Sequence, residues 1–180
     1  MSFDLSKGIR GRVWKFGDSI ETDAINPYYR YPTMDELKLH TMEVYRAEFP
    51  REVKSGDIMV AGRNFGCGSS RPGLALREVG IAAIIAESVA RLFLRNSIGR
   101  AIPIFVAPGV TGIVEDGETL EVDYRAGLVR NSRSGKQVGL RKYPPLIERI
   151  FECGGLPEFA HQRYLIEAAT ARKGHGQHTV

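Results

Sequence analysis

The residues with the most chemical reach form one short string near the middle of the chain, Gly66-Cys67-Gly68-Ser69-Ser70-Arg71. Gly66 and Gly68 let the backbone take angles closed to other residues and let it approach a ligand closely. A helix expected to begin near Pro72 would aim unpaired N–H groups and a positive dipole end at the same point. Two hydroxyls and a guanidinium then sit where an anion is welcome. Arg71 is suited to grip a carboxylate through two parallel charge-assisted hydrogen bonds. A serine held among N–H donors can have its alkoxide stabilised and serve as a base, given a means of losing its proton. The string lacks the GxxxxGK[ST] phosphate loop and the GxGxxG dinucleotide fingerprint. As bare composition it also serves as a tight turn with N-caps.

Other reactive types are sparse. Cys67 and Cys153 are too few for a disulfide framework or an all-cysteine metal site. Cys67 has no histidine near it in sequence and reads as a small packing residue rather than a nucleophile. His40, His161, His175 and His178 show no metal-ligand spacing, so no metal is assigned to this chain. The loop Gly17-Asp18-Ser19-Ile20-Glu21-Thr22-Asp23 is acidic, as a solvated turn or as a source of carboxylates for Arg71 or Arg63. Arg125, Arg130, Arg133, Lys136, Arg141 and Lys142 form a basic run, which suits a solvated hairpin face, an acidic partner surface or RNA.

The elements expected to position these groups fall into three regions. The first has a strand over Arg10–Phe16, the acidic loop, the stretch Asn26-Pro27-Tyr28-Tyr29-Arg30-Tyr31-Pro32, and a capping box at Thr33 and Glu36. Leu37, Met42, Tyr45 and Phe49 then predict a helix running to Pro50, and Ile58–Ala61 a short apolar strand. In the middle region, Ile81–Ala86 and Pro103–Val106 read as strands buried on both faces. Between them, Ser88 is expected to cap a helix over Val89–Ile98. In the last region, Asp116-Gly117 and Ser134-Gly135 read as hairpin turns between segments such as Thr119–Tyr124 and Gln137–Leu140. Helices over Pro145–Cys153 and Leu156–Ala169 follow, separated by Gly154-Gly155. This order argues for an α/β core in one domain over residues 1–170, with a polar, disordered tail over 171–180.

With 180 residues, 43% hydrophobic and 26% charged, the chain suits one globular domain with a substantial core. No apolar stretch reaches the roughly 18 residues a membrane span needs. The N-terminal segment lacks the apolar core of a secretory signal, which together with the cysteine count points to the cytoplasm. A net charge of +4 falls short of the concentrated basic patch of a dedicated nucleic-acid binder. Its 18 Arg against 7 Lys permit an anionic ligand and are equally a matter of genomic composition bias.

The longer string Gly62-Arg63-Asn64-Phe65-Gly66-Cys67-Gly68-Ser69-Ser70-Arg71 closely resembles the signature of the 3-isopropylmalate dehydratase small subunit family, the detached swivel domain of the aconitase superfamily. The resemblance extends through Gly17–Ile25, which looks like the family's GDNIDTDAI element, through Phe49–Gly62, and through Ile84–Asn96; it covers residues 9–165 in order and spacing. It implies an α/β swivelling three-layer β/β/α domain. It also implies a large-subunit partner carrying a [4Fe-4S] cluster, whose iron acts as Lewis acid on the substrate hydroxyl. The reaction class is reversible dehydration and rehydration of a hydroxy di- or tricarboxylic acid, above all 3-isopropylmalate to 2-isopropylmalate through isopropylmaleate, in leucine biosynthesis.

By the superfamily's motif Ser69 is the base that removes the carbon-bound proton, Ser70 and its N–H help hold the site, and Arg71 binds a substrate carboxylate. Tyr29, Arg30 and Tyr31 lie where relatives carry a substrate loop. Asp18, Asp23, Arg63, Gly66 and Gly68 support the site. Two departures stand out: Pro72-Gly73 replaces the family's Glu-His or Glu-Gln after the arginine, and the tyrosine loop places its arginine in a shifted register. Related small subunits of homoaconitase, dimethylmalate or methylmalate type therefore stay open, as does a non-catalytic RNA-binding paralogue. Without its partner, the exposed loop face is expected to favour homodimers.

Overall fold

The structure, a computed structural model, describes residues 4–69 and 71–174, with residues 166–174 described by backbone alone. Its frame is a seven-stranded sheet in the order β4-β3-β2-β1-β5-β6-β7. These strands are β1 (Ile9–Lys15), β2 (Ile58–Ala61), β3 (Ala83–Ala86), β4 (Ile104–Val106), β5 (Thr119–Asp123), β6 (Leu128–Asn131) and β7 (Gln137–Gly139). Strands β1 to β4 run parallel, and β5 to β7 continue antiparallel from the other edge of β1.

Side-chain alternation explains the layering, because successive strand residues point to opposite faces. Val13, Ile58, Val60, Ile85 and Phe105 share one core with Leu120, Val122 and Val129, so the antiparallel strands curl over that face. Trp14, Met59, Ala61, Ile84 and Ile104 face a second core with Phe49, Leu76 and Phe93 from the helical side. Strands β2, β3 and β4 are apolar on both faces for this reason, and β1 at Val13 and Trp14. The result is the expected β/β/α arrangement.

The helices are α1 (Thr22–Ile25), α2 (Met34–His40), α3 (Phe49–Glu52), α4 (Leu74–Glu78), α5 (Arg91–Gly99), α6 (Pro145–Cys153) and α7 (Leu156–Gly174). The capping box that opens α2 is present, with Thr33 and Glu36 each bonded to the other's backbone N–H. The helix predicted to run to Pro50 nevertheless stops at His40. Thr41 turns its hydroxyl onto Ile25 O at 2.8 Å, and Met42, at φ 62°, donates its N–H to Ala24 O at 2.8 Å. Tertiary bonds to α1 thus replace the helical ladder.

Four other expectations change. Pro72 lies outside α4, whose N-cap is Gly73. Ser88 does not cap α5; its Oγ accepts from Asn64 N at 2.9 Å. Asp116-Gly117 is a turn but joins no hairpin, since β5 pairs with β1, a hundred residues earlier in the chain, and Gly117 N donates to Val13 O. The last helix continues past Ala169 to Gly174, into the segment assigned to a tail, and residues 175–180 lie outside the described residues. Among the described residues no helix is long and apolar enough to cross a membrane.

One polar cluster fastens β1 to β2. The buried Asp57 carboxylate accepts from Trp14 Nε1 at 2.7 Å, Arg12 Nη2 at 2.8 Å and Lys54 N at 3.0 Å. Burial pushes its pKa up, but those three bonds and the Arg12 charge outweigh it and hold the carboxyl below its ordinary 3.8. A lowered folded-state pKa means stability that is complete above the ordinary value and is lost as pH falls through the folded one. Asp57→Asn is expected to cost about 2 kcal/mol at neutral pH, from the weakening of charge-assisted bonds. It should also flatten the acid limb, as measured by urea midpoints from neutral pH down to about pH 3.

Candidate active site

Three chain segments converge at the carboxyl ends of β1, β2 and β3, the end of a parallel sheet where ligand sites form. The segment after β1 and the segment after β2 are stitched together by backbone bonds: Gly62 N to Gly17 O at 3.0 Å, Ser19 N to Arg63 O at 2.7 Å, Gly66 N to Ile20 O at 2.8 Å and Thr22 N to Cys67 O at 2.8 Å. The segment after β3 adds Phe65 N to Ser88 O and Ala90 N to Phe65 O, at 3.0 and 2.9 Å. The glycine-serine loop is therefore a fixed third rail between two neighbours.

Asp18 Oδ1 accepts from the Arg63 backbone N–H at 2.6 Å. A Cβ on Gly62 would lie 1.9 Å from that same carboxylate oxygen, so the contact requires glycine. Gly66, at φ 77°, packs its Cα hydrogens against Phe93, and Gly68 lies over Thr22 Oγ1. Cys67, part-buried, directs Sγ toward Ile20 O at 3.6 Å and packs rather than presenting a nucleophile.

Ser69 is tied to Thr22 twice. Its N–H donates to Thr22 Oγ1 at 2.8 Å, and the two hydroxyl oxygens lie 3.0 Å apart. Because Thr22 Oγ1 already accepts the amide hydrogen, its own hydroxyl hydrogen is free to point at Ser69 Oγ. With its hydrogen directed at Ser69 Oγ, Thr22 would stabilise negative charge there. Thr22 is fully buried at the start of α1, so its orientation is set by packing.

Arg71 places Nη1 3.3 Å from Asp23 Oδ1. Its guanidinium also lies 5.0 Å from the Tyr28 ring centroid and 4.8 Å from that of Tyr29. The carboxylate that faces Arg71 is therefore that of Asp23. Asp18 and Asp23 divide their work: one holds a backbone, the other a guanidinium. Tyr29, Arg30 and Tyr31 line a depression of about 290 Å³ that also includes Glu21, Asp23 and His40. Ser70 lies outside the described residues.

Sequence reasoning gave no role to Thr22 or Asn26. Asn26, fully buried, donates from Nδ2 to Pro72 O at 2.9 Å and accepts at Oδ1 from Ala75 N at 3.2 Å. It therefore occupies a helix N–H expected to face a ligand. The available signal was a polar Asn directly before Pro27, where a buried amide needs partners.

Two of the six residues of the basic run are ion-paired: Arg130 meets Glu121 at 2.6 Å and Arg133 meets Glu118 at 3.5 Å, both carboxylates coming from β5 or its approach. Among the described residues no group of three or more His, Cys, Asp or Glu can hold a metal ion.

Residues 2–107 match the aconitase C-terminal domain family. A 3-isopropylmalate dehydratase small subunit 1 from Methanopyrus kandleri is 47% identical over 154 residues, 83% of this chain and 91% of its own length. The methanogen homoaconitase small subunit of Methanothermobacter thermautotrophicus is 46% identical over 152 residues, 82% of this chain and 88% of its own. The crystal structure of a 3-isopropylmalate dehydratase from Methanocaldococcus jannaschii superposes with a TM-score of 0.83 at 37% identity, covering 91% of this chain and 99% of that one.

Proposed function

The chain belongs to the aconitase C-terminal domain family, and from that premise we propose that it is the small subunit of a 3-isopropylmalate dehydratase. It works with a large subunit in the cytoplasm. The reaction removes a carbon-bound proton and the hydroxyl of the neighbouring carbon, and returns them in exchanged positions to give 2-isopropylmalate through isopropylmaleate. The observation that carries this reading is the meeting of Ser69, Thr22, Arg71 and Asp23 in one cluster.

Each side chain has a part. Ser69 Oγ, as alkoxide, takes the carbon-bound proton and later gives it back. The Thr22 hydroxyl donates to that oxygen and lowers the cost of its charge. Arg71 binds a substrate carboxylate, oriented by Asp23 and backed by Tyr28 and Tyr29. Ser70 helps hold the site, and Tyr29, Arg30 and Tyr31 face the arm that differs among related hydroxy acids.

The residues of this chain do not fit an iron–sulfur cluster, which takes three or four converging cysteines, whereas here two cysteines lie in separate elements. The cluster belongs to the large subunit, and no step assigned to this chain runs through it.

Co-expression with the large subunit and anaerobic purification should give a stoichiometric complex that hydrates isopropylmaleate. Preferred turnover of a homoaconitate-type tricarboxylate would move the assignment to the homoaconitase relatives. An iron-loaded complex without turnover of any of these acids would overturn it.

A further inference from the structure

The tyrosine–arginine loop, residues 26–32, is a tight turn in which Arg30 N and Tyr31 N both donate to Pro27 O at 3.1 Å. That bonding fixes the backbone but leaves the direction of the aromatic side chains to their neighbours. Tyr28 and Tyr29 lie against Arg71. Tyr31 has a different support: its ring stacks on His40 with centroids 3.6 Å apart and planes within 2° of parallel.

His40 sits in the last turn of α2 and is itself held. Its Nδ1 donates to Glu43 Oε2 at 2.8 Å, and both side chains are about one-third exposed. Glu43 follows the break at Thr41–Met42, where the chain is anchored to α1 by the buried Thr41 hydroxyl and the Met42 N–H. A line of contacts therefore runs from α1, which carries Thr22 and Asp23, through Thr41–Met42 and Glu43 to His40, and ends on the Tyr31 ring. The depression lined by Tyr29, Arg30, Tyr31 and His40 also includes Asp23, the partner of Arg71, so it shares a wall residue with the proposed reaction site.

We propose that His40 is a positioning residue for substrate selection: clamped by Glu43, it holds the Tyr31 ring flat and thereby shapes the wall that meets the variable arm of the hydroxy acid. The inference rests on the reading of Tyr29, Arg30 and Tyr31 as substrate-facing. His40 touches no reacting atom. It acts through Tyr31 and leaves the chemistry of Ser69 and Arg71 alone. Its loss should therefore appear in KM and in discrimination between acids, with kcat on the preferred acid largely kept.

The test compares His40→Ala, His40→Phe and Glu43→Gln in the complex with the large subunit, using an isopropyl-armed and a carboxylate-armed substrate. His40→Ala should raise KM for the preferred acid about 10-fold, a loss of uniform binding that leaves the chemical step alone. The ratio of kcat/KM between the two acids should also shrink. His40→Phe keeps a flat ring against Tyr31 and should recover most of the loss; Glu43→Gln should fall between.

Hydrogen exchange on the chain without its partner gives a second readout that needs no turnover. The segment 27–32 should exchange faster in His40→Ala and at the parent's rate in His40→Phe. Unchanged KM and discrimination in His40→Ala would overturn the proposal, as would a fall in kcat alone, or His40→Phe behaving like His40→Ala. A parent complex without turnover would sink the functional reading, and the exchange pattern would then decide the clamp by itself.

Discussion

Ser69→Ala should leave a complex that assembles normally and turns over about a thousand-fold more slowly, the usual worth of a positioned general base. The expectation follows from geometry in which little besides the lost oxygen changes. The Ser69 N–H donates to Thr22 Oγ1 whether or not the side chain carries a hydroxyl, so the loop keeps its anchor. The neighbouring backbone bonds from Gly66 N and Thr22 N do not involve the side chain at all. Equal thermal midpoints for parent and variant, together with a collapse of kcat on isopropylmaleate hydration, would place the effect on chemistry. Thr22→Val sharpens the test. It keeps the branching but removes both the acceptor for Ser69 N and the donor to Ser69 Oγ; about a 10-fold loss of turnover is expected from the lost donor, and a separate loss of stability from the unpaired Ser69 N–H. Full turnover in Ser69→Ala would remove the serine from the role of base.

Much of the frame was legible because it follows from period and punctuation. The buried strands around Ile58, Ile84 and Ile104 are short apolar runs, the capping box at Thr33 and Glu36 opens a helix, and Gly154 closes α6 with φ 93°. What sequence could not reveal was where a long-range bond displaces a local one. The apolar spacing from Leu37 to Phe49 is helical, yet Thr41 and Met42 leave the ladder for the backbone of α1. Ser88 has the composition of a helix cap, yet its oxygen serves Asn64 across the site. The candidate site divides in the same way. Ser69 and Arg71 stood out by type and by the string around them, whereas Thr22 and Asn26 matter through contacts some fifty residues away in sequence, which no local pattern announces.

Gly66→Ala tests how the site is built rather than what it does, and it should cost about 3 kcal/mol or more. Two penalties add. At φ 77° the backbone occupies a region an L side chain enters only with strain. The new Cβ would also stand 2.2 Å from Phe93 Cγ and 2.5 Å from Phe93 Cδ1, far inside van der Waals contact. Phe93 has little room to yield: it is fully buried, lies edge-on to Phe65 with centroids 5.4 Å apart, and its far end already approaches Gly73. The loop must therefore move instead, and the bond from Gly66 N to Ile20 O and the Ser69–Thr22 pair move with it. Stability and turnover should fall together, in contrast to Ser69→Ala, where turnover falls alone. Adding Phe93→Leu should return about 1 kcal/mol in the Gly66→Ala background while destabilising the parent, a coupling of opposite sign that only contact between the two sites produces. A Gly66→Ala chain unfolding at the parent's urea midpoint would mean that the glycine does not determine how closely the loop approaches α5.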